Sequence, residues 1–482
     1  MFSLEDYIHP WKDLYRKSPA WFKRSAGLGY GFLPARFRYG KSLAVARAYL
    51  EKSQWFSREQ LDQKQWEQAH ALLEFAYETV PYYRKTWKAI GLHPSDINSF
   101  ADWEQLPVID KDTVRLNKDD LVSSKHRKNC LATNTGGSTG EPLHFFWERG
   151  RTRTLERAFM WRQWEWTGFT YGSGHVNLRG QTVKEDLWHF DPIDKTLFIN
   201  AYNISEKRFH EVDAKIRRFK PKAIAAYPSN MTSYALIMDR LGVPHYPSVN
   251  VLLLGSENLY PDQKELFKRV FKARPYSWYG HGESCCLAGY CEKEDYYHVY
   301  TEYGYTELLG ADNNSLIWNP GATGEICATS FINNAMPLIR YKTGDIATAG
   351  PDACTCGRNY PLIERIEGRK QEYIVTIDDR IISLTGLVFG QHWGAFANIA
   401  RLQIEQKFKG QVVFRIIKGP DYSTKDEQEI LDKVSVCTRG GLEVSFEYVD
   451  LIPPSPRGKH LFLKQHLKLE SSWAGSEAES AL

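Results

Sequence analysis

The chain has 482 residues, a length sufficient for two or three domains and a large core. Of these residues, 42% are hydrophobic and 25% are charged. A formal net charge of +4 over this length argues against nucleic acid as the main ligand. Apolar runs stay below the roughly 18–20 residues that span a bilayer, and the first residues lack the basic start and apolar middle of a signal peptide. We therefore expect a cytoplasmic protein whose eight cysteines are reduced or metal-bound.

The N-terminal part is predicted to be helical. Residues 8–48 mix aromatic side chains with lysine and arginine. Such a stretch suits peripheral association with an anionic membrane surface, or a helical face docked on the body of the protein; we favour docking. A long helix is predicted next, because Ser57 and Gln60 form a capping box and apolar residues recur at helical spacing until Pro81 ends it.

Residues 135–142 form a segment rich in glycine and hydroxyl groups. Glycines let backbone N–H groups approach anionic oxygens, and the hydroxyls can donate to the same oxygens. The segment lacks the Gly-Lys-Ser/Thr ending of a Walker-type loop. Alone it is more often an ordinary turn. A polyphosphate loop is therefore one of two interpretations that the rest of the chain must decide.

From about residue 100 to 350, short apolar strands alternate with helices. Ala223–Tyr227 and Val251–Leu254 are predicted to be buried strands, and Tyr234–Leu241 and Gln263–Phe271 are predicted to be helices. This alternation predicts a parallel α/β sheet. A strand-rich part follows residue 310, with predicted strands at Ser315–Trp318, Gly324–Ser330 and Ile346–Ala349.

The residues after Arg369 are predicted to form a small separate unit of strands and one helix. Its predicted strands are Gln371–Ile377, Ile381–Leu384, Leu402–Phe408, Val412–Ile417 and Leu442–Val449, and its helix is Lys425–Val434. The last residues are small, polar and acidic, so we expect a disordered tail.

Five short motifs follow the glycine-rich segment. They are Gly255-Ser256-Glu257, Tyr279-Gly280-His281-Gly282-Glu283, Tyr341-Lys342-Thr343-Gly344-Asp345, Arg365-Ile366-Glu367-Gly368-Arg369 and Pro454-Ser455-Pro456-Arg457-Gly458-Lys459. Each is weak alone, but in this order they resemble the adenylate-forming superfamily of acyl-CoA synthetases, peptide-synthetase adenylation domains and luciferases. The chain is most similar to the phenylacetate–CoA ligase family and its capsular-polysaccharide relatives, whose N-terminal signature is matched by Val80–Tyr83 and Leu106–Lys111. The resemblance covers roughly residues 60–465.

This resemblance implies an α/β fold with a large, multi-subdomain adenylate-forming N-terminal domain and a small, mobile α+β C-terminal domain. The implied division is an N-terminal helical extension (1–56), an adenylation domain (57–367), a hinge (368–371), a C-terminal lid domain (372–468) and a tail (469–482).

The resemblance also implies the chemistry. A carboxylate would attack the α-phosphate of ATP to give an acyl-adenylate and pyrophosphate, so two anions must be brought together by positioning and charge stabilisation. Glu283 would bind Mg²⁺, which neutralises the polyphosphate. The departing phosphates would be held by Thr135, Gly136, Gly137, Ser138, Thr139 and Gly140, with Thr139 also counted as catalytic.

The same resemblance assigns the nucleotide site and the moving lysine. Asp345 would accept hydrogen bonds from the ribose hydroxyls, with Arg369 nearby. The adenine would be bordered by Tyr279, Gly280, Gly255, Ser256 and Glu257. Lys459 would bridge carboxylate and phosphate oxygens in the transition state, and rotation of the lid would then remove it for the second substrate.

Two departures from the superfamily pattern concern the reaction itself. Gly282 stands where Thr or Ser usually helps to bind the α-phosphate. The loop at 378–383 replaces the Arg-Gly-type turn that lines the CoA tunnel, so the acceptor is either CoA or an amine or sugar, as in surface-polysaccharide decoration. Gly282 also motivates a non-catalytic scaffold as an alternative, against which stand the retained Glu283, Asp345, Arg369 and Lys459. The sequence does not identify the acid. The pocket that binds it is predicted to include Tyr227, Pro228, His281, Gly282, Cys285, Asn334 and Met336.

A second signal concerns a structural metal. Cys291 and His298 form a C-x6-H pair, and Cys354 and Cys356 form a C-x-C pair. Three thiols and one imidazole suit tetrahedral Zn²⁺, and the bland alternative is four reduced, partly buried side chains. Phenylacetate–CoA ligase relatives often carry a similar set, which favours zinc.

The other cysteines are not expected to bind metal. Cys285 and Cys286 follow Glu283 directly and are predicted to line the acyl pocket. Cys130, Cys327 and Cys437 are predicted to be small core residues.

Overall fold

The computed structural model describes most of the chain between residues 35 and 467. The described residues are 18–19, 22, 25–27, 29–30, 33, 35–134, 143–179, 187–201, 204, 206–310, 318–369, 373–378, 381–384, 387, 395, 398–438, 440–453 and 461–467. The glycine-rich segment 135–142, most of the predicted strand Ser315–Trp318, hinge residues 370–371, Lys459 and the tail lie outside these residues, so predictions on them stay predictions.

The helices are mostly where the pattern predicts them. They are α1 (Ala35–Arg38), α2 (Lys41–Ser53), α3 (Arg58–Thr79), α4 (Pro81–Ala89), α5 (Lys111–Leu116), α6 (Thr152–Glu165), α7 (Glu206–Phe219), α8 (Pro228–Arg240), α9 (Pro261–Phe271) and α10 (Thr424–Thr438), with 3₁₀ turns at Pro94–Asp96 and Phe100–Gln105. Ser57 caps α3 in the predicted capping box with Gln60. Helix α8 starts six residues earlier than predicted, because Pro228 occupies its first turn, where a missing N–H costs nothing.

Within the described ranges, the strands form one large sheet and three small ones. They are β1 (Cys130–Asn134), β2 (His144–Glu148), β3 (His175–Arg179), β4 (Trp188–Asp191), β5 (Thr196–Asn200), β6 (Ala223–Ala226), β7 (Val251–Gly255), β8 (Arg274–Gly280), β9 (Leu287–Tyr290), β10 (Tyr297–Val299), β11 (Gly304–Leu309), β12 (Thr323–Ser330), β13 (Tyr341–Ala349), β14 (Leu362–Arg369), β15 (Tyr373–Val375), β16 (Ile381–Ser383), β17 (Ile399–Phe408), β18 (Gln411–Lys418), β19 (Glu443–Tyr448) and β20 (Leu463–Gln465). The large sheet has the order β11-β12-β13-β14-β10-β9-β8-β7-β6-β3-β5-β4.

The large sheet changes character at β8. Strands β5, β3, β6, β7 and β8 are parallel to one another, and β6 and β7 are buried along their whole length, as apolar strands covered by helices on both faces must be. From β8 to β11 each pairing is antiparallel. The junction brings the carboxyl ends of β7 and β8 close to the antiparallel half, where ligands of open α/β sheets commonly bind.

The C-terminal residues form the small unit that the pattern predicts. Strands β19, β18, β17 and β20 make a four-stranded sheet, and α10 contributes Ile430 and Val434 to its core. The hairpin β15–β16 joins this unit, because the Gln406 side chain bonds both backbone groups of Val375. Together the large sheet and this unit confirm the predicted α/β fold class with a smaller C-terminal domain.

The described part of the N-terminal stretch packs against the body. Leu43 and Leu50 of α2 are buried with Phe159 of α6. Arg162 of α6 donates a hydrogen bond to the backbone carbonyl of Leu50 at 3.3 Å. These contacts support the docked helix over the alternative for this part of the stretch. Among the described helices, none combines the length and the apolar character that a membrane crossing requires.

A buried ion pair fastens the Leu106–Lys111 segment to the large sheet. Arg340 lies 2.9 Å from Glu307, and both side chains are 1% exposed. The same guanidinium donates to the backbone carbonyls of Glu104 and Leu106. The Arg340 carbonyl in turn accepts from the N–H of Ile109 at 2.9 Å. Helix α5 therefore starts from a rigid anchor beside β13.

We expect Arg340→Met to lower the free energy of unfolding by about 3–5 kcal/mol, because it leaves the Glu307 carboxylate buried without its cation. Denaturant titration followed by far-UV circular dichroism measures the loss. The double variant Arg340→Met/Glu307→Gln should recover part of it, since no unpaired charge remains. Equal stability of the single variant and the parent protein would contradict this assignment.

Candidate active site

The ends of β7 and β8 need small residues. A Cβ on Gly255 would lie 2.5 Å from the ring of Trp278, so only glycine lets the two strand ends approach. Ser256 follows in the left-handed region, with φ of 69°. The chain turns sharply at Ser256. The next residue, Glu257, is predicted to lie beside the adenine.

Tyr279 and Asp345 meet across the sheet. The Tyr279 hydroxyl donates to Asp345 Oδ2 at 2.7 Å, and burial followed by the nearby Asp345 charge raises the pKa of Tyr279 well above its usual value. The tyrosine therefore stays protonated and keeps one carboxylate oxygen oriented. Asp345 pairs in register with Arg369 of the neighbouring strand β14. At Gly280, the last residue of β8, a Cβ would lie 2.8 Å from the Cδ1 methyl of Leu287, so a larger residue would force the Leu287 side chain to shift.

Glu283 is a buried carboxylate held from two sides. Tyr341 donates to its Oε1 at 3.0 Å, and His281 Nδ1 lies 3.1 Å from its Oε2. Burial alone would raise the pKa of this carboxyl, but the hydrogen bond and charge of His281, together with Lys111, lower it to about 2. The side chain, 5% exposed, is thus an oriented anion at neutral pH, as a Mg²⁺ ligand must be.

Gly282 supplies backbone and no side chain to the site. Its carbonyl accepts a hydrogen bond from the indole N–H of Trp147 at 3.1 Å. Trp147 stands in β2, the strand that follows residues 135–142 in the chain, so this hydrogen bond joins β2 to the loop that carries Glu283. The donor that Thr or Ser would offer at this position is absent from Gly282 itself.

Lys111 is a site residue that sequence reasoning did not single out. The Arg340 anchor places α5 beside β13, and Lys111 Nζ lies 3.9 Å from where a Cβ on Gly344 would be. Its charge lowers the pKa of Glu283. The Leu106–Lys111 signature was visible in the sequence, but the role of its lysine depends on a contact more than 150 residues away along the chain.

The structure distributes the predicted pocket residues over two environments. Tyr227, which caps α8, and Pro228 lie near the carboxyl end of β6, and Asn334 is partly exposed with its N–H on Glu148. Met336 is 1% exposed within the main core. Cys285 and Cys286 are also enclosed by that core, where burial raises the pKa of each thiol. His281 and Gly282 adjoin Glu283.

The four predicted metal ligands come together. Cys291, His298, Cys354 and Cys356 place one ligand atom each within 4.8 Å of the others. The Sγ atoms of Cys291 and Cys354 are 3.5 Å apart, and Cys356 Sγ is 3.4 Å from His298 Nε2. Two of the thiols also accept backbone N–H groups, from Lys293 and Arg358. Three sulfurs and one imidazole nitrogen around one point fit tetrahedral Zn²⁺.

Comparisons with known proteins agree with the geometry. The chain is 26% identical over 331 residues to a phenylacetate–coenzyme A ligase of Aromatoleum evansii, covering 66% of this chain and 71% of that one. It is 22% identical over 381 residues to the protein CapK of Staphylococcus aureus, covering 76% and 81%. A solved 2-hydroxyisobutyryl-CoA ligase in its postadenylation state superposes with a TM-score of 0.69 at 17% identity, covering 90% of this chain and 94% of the other. No family model matches the chain.

The fold, with its large sheet and small C-terminal domain, and these relatives define the class: the chain is an adenylate-forming ligase. Within that class it is a relative of the phenylacetate–CoA ligase family and of CapK, as the motif order predicted.

Proposed function

We propose that this ligase activates a carboxylic acid with ATP and then transfers the acyl group to CoA or to an amine or sugar. An oxygen of the carboxylate attacks the α-phosphorus, the bond to the β-phosphate breaks, and acyl-adenylate and pyrophosphate form. The acceptor then attacks the acyl carbon, AMP leaves and the acceptor loses a proton. The observation that carries the proposal is the pair of oriented carboxylates, Glu283 held by Tyr341 and Asp345 held by Tyr279, at one end of β8.

The described residues support a role for each carboxylate. Asp345 is oriented by Tyr279 and pairs in register with Arg369, and a carboxylate suits two adjacent ribose hydroxyls. Glu283 would hold Mg²⁺, which when bound offsets the negative charge of the polyphosphate. Lys111 adds a positive charge next to this carboxylate and would help to keep phosphate oxygens close. The glycine-rich segment 135–142 is proposed to hold the departing pyrophosphate.

The acceptor is the finer part of the proposal. The curated phenylacetate–coenzyme A ligases among the relatives favour CoA. The likeness to CapK, together with the unusual loop at 378–383, favours an amine or sugar acceptor in surface-polysaccharide biosynthesis. We keep CoA as the first candidate, because more of the similar relatives carry that name.

Carboxylate-dependent exchange of radiolabelled pyrophosphate into ATP tests the first half of the proposal. We expect exchange that requires Mg²⁺ and one class of acid from a panel of aliphatic, aromatic, hydroxy and amino acids. Adding CoA, or amines and amino sugars, to the active pair then identifies the acceptor by release of AMP. A folded protein with no exchange for any acid would support the non-catalytic scaffold instead.

The lid assignment is also a proposal. Strand β14 ends at Arg369, and the next described strand, β15, bonds to the small C-terminal unit. We therefore propose that the hinge lies at 368–371. Tyr260 of the body packs against the core of the small unit, with its ring centroid 6.5 Å from that of Phe462. Rotation of the lid would have to alter this contact.

We expect Asp345→Ala to raise KM for ATP by about 10- to 100-fold in pyrophosphate exchange, because it removes a charged acceptor of two hydroxyl donors. The rate at saturating ATP should fall much less. Asp352→Ala, the same change at an exposed residue, is the matched control and should leave both constants unchanged. An unaltered KM in the Asp345 variant would remove this residue from the nucleotide site.

We further propose one structural Zn²⁺ on Cys291, His298, Cys354 and Cys356. The ring nitrogen Nδ1 of His298 is buried without a hydrogen-bond partner among the described residues, and Nε2 faces Cys356, as expected for a ligand that binds through Nε2. This cluster would tie the β9–β10 region to the loop between β13 and β14.

A further inference from the structure

Residues 337–340 form a buried segment without regular secondary structure, directly before β13. The backbone groups of such a segment need partners other than those of a helix or a sheet. The hydroxyl of Tyr83 on α4, a residue that is 1% exposed, is the partner of two of them. It donates to the carbonyl of Pro337 at 3.1 Å and accepts from the N–H of Ile339 at 2.9 Å. A single side chain from α4 therefore fixes the path of this segment.

The last residue of the segment, Arg340, has an unusual backbone conformation. Its φ is 49°, in the left-handed region that residues with a side chain rarely adopt. The Arg340 N–H donates to the hydroxyl of Thr329 at 3.0 Å, and the Arg340 carbonyl accepts from the N–H of Ile109 at 2.9 Å. Such strain persists where the surroundings impose it, and it is concentrated where function requires one particular geometry.

The strained residue determines the direction of Tyr341, the first residue of β13. Tyr341 is buried, and its hydroxyl donates to Oε1 of Glu283 at 3.0 Å. Because Tyr341 follows Arg340 directly, a change of φ at Arg340 would redirect this side chain. The contacts of Tyr83 and the contact with Glu283 thus lie on one continuous stretch of chain, residues 337–341.

This arrangement also gives a role to a sequence feature that the nucleotide site leaves unexplained. Tyr83 belongs to the signature segment Val80–Tyr83. The second signature segment, Leu106–Lys111, contacts both the guanidinium and the backbone carbonyl of Arg340. Both segments therefore hold the residues that lead into Tyr341.

We propose that Tyr83 is a positioning residue for Glu283: by fixing residues 337–340 it places the Tyr341 hydroxyl that orients this carboxylate. The inference rests on the proposed adenylation, in which Glu283 holds Mg²⁺, and adds a residue of α4 to that site. Groups that orient a metal-binding carboxylate through a hydrogen bond contribute to the affinity for the metal. Loss of the Tyr83 hydroxyl should therefore weaken the part of ATP binding that depends on Mg²⁺ and leave the rest unchanged.

Equilibrium binding of ATP by the full-length protein, measured by calorimetry with Mg²⁺ and again with EDTA, tests this inference. For each protein the ratio of the two affinities gives the contribution of the metal. We expect Tyr341→Phe to lower this ratio about 10- to 100-fold and Tyr83→Phe to lower it about 3- to 10-fold, with the affinity of Tyr83→Phe in EDTA unchanged. Tyr82→Phe, the same change at the neighbouring half-buried tyrosine, is the matched control and should keep the parent ratio.

A double variant shows whether Tyr83 acts through Tyr341. Since the route is already broken in Tyr341→Phe, adding Tyr83→Phe should not lower the ratio further. A Tyr83→Phe protein with the parent ratio, or losses that multiply in the double variant, would overturn the inference and leave the adenylation proposal standing. A parent protein whose ATP affinity is the same with Mg²⁺ and with EDTA would overturn both.

Thermal unfolding shows whether each variant is folded at the assay temperature. Thr329→Val, which removes the acceptor of the Arg340 N–H and keeps the shape of the side chain, disturbs the same segment without changing Tyr83. It should also lower the ratio, and it provides the test if Tyr83→Phe does not fold. An unchanged ratio in folded Thr329→Val protein would contradict the claim that residues 337–340 place Tyr341.

Discussion

Lys459→Ala is expected to slow carboxylate-dependent pyrophosphate exchange by about 10²- to 10³-fold, with little change in KM for ATP. The proposed bond between Lys459 and the developing acyl-phosphate charge forms only in the adenylating arrangement. An interaction made only at the transition state lowers kcat without weakening ground-state binding. Steady-state exchange kinetics over a range of ATP concentrations measures both constants.

The second half-reaction provides the internal control for this variant. Starting from preformed acyl-adenylate, acyl transfer should survive, because lid rotation has by then removed Lys459. Lys464→Ala, the same change in β20 of the small unit, should leave exchange intact. Near-normal exchange by the Lys459 variant would mean that the C-terminal motif match is coincidental and that the lid has no catalytic lysine there.

Cys356→Ser is expected to remove bound zinc and to lower the free energy of unfolding by several kcal/mol, since metal binding to such a site is coupled to folding. The loop that carries Cys356 also anchors Arg358, which stacks on Trp166 at 3.9 Å and donates from one nitrogen, Nη1, to both carboxylate oxygens of Glu292. Elemental analysis of protein purified without chelator should give one zinc per chain, and thermal unfolding reports the loss of stability.

The matched control for the zinc site is Cys437→Ser, a partly buried cysteine of the small unit outside the cluster. It should keep both the metal and the melting temperature of the body. Any exchange activity left in folded Cys356→Ser protein should retain its KM for ATP, because the proposed zinc does not contact substrate. Metal-free parent protein with unchanged stability would contradict the assignment.

Local patterns predicted much of this chain correctly. The Ser57–Gln60 capping box, the buried strands at Ala223–Ala226 and Val251–Gly255, and the separate C-terminal unit were all visible in the sequence. These features depend on neighbours a few residues apart, so periodicity and capping chemistry are enough to find them. The order of the short motifs likewise predicted the superfamily without any knowledge of contacts.

The pairing of residues far apart in the chain follows from the fold and could not be predicted from local patterns. Tyr279 and Asp345 are 66 residues apart, Tyr341 and Glu283 are 58 apart, and Glu156 and Tyr303 are 147 apart. Which carboxylates and hydroxyls are present, and on which helices and strands they stand, could be predicted from the residues alone. Their interaction partners follow from the strand order and from the packing of helices on the sheet. Burial then sets their charge states, because the cost of desolvation depends on everything that surrounds a group and not only on its neighbours in the chain.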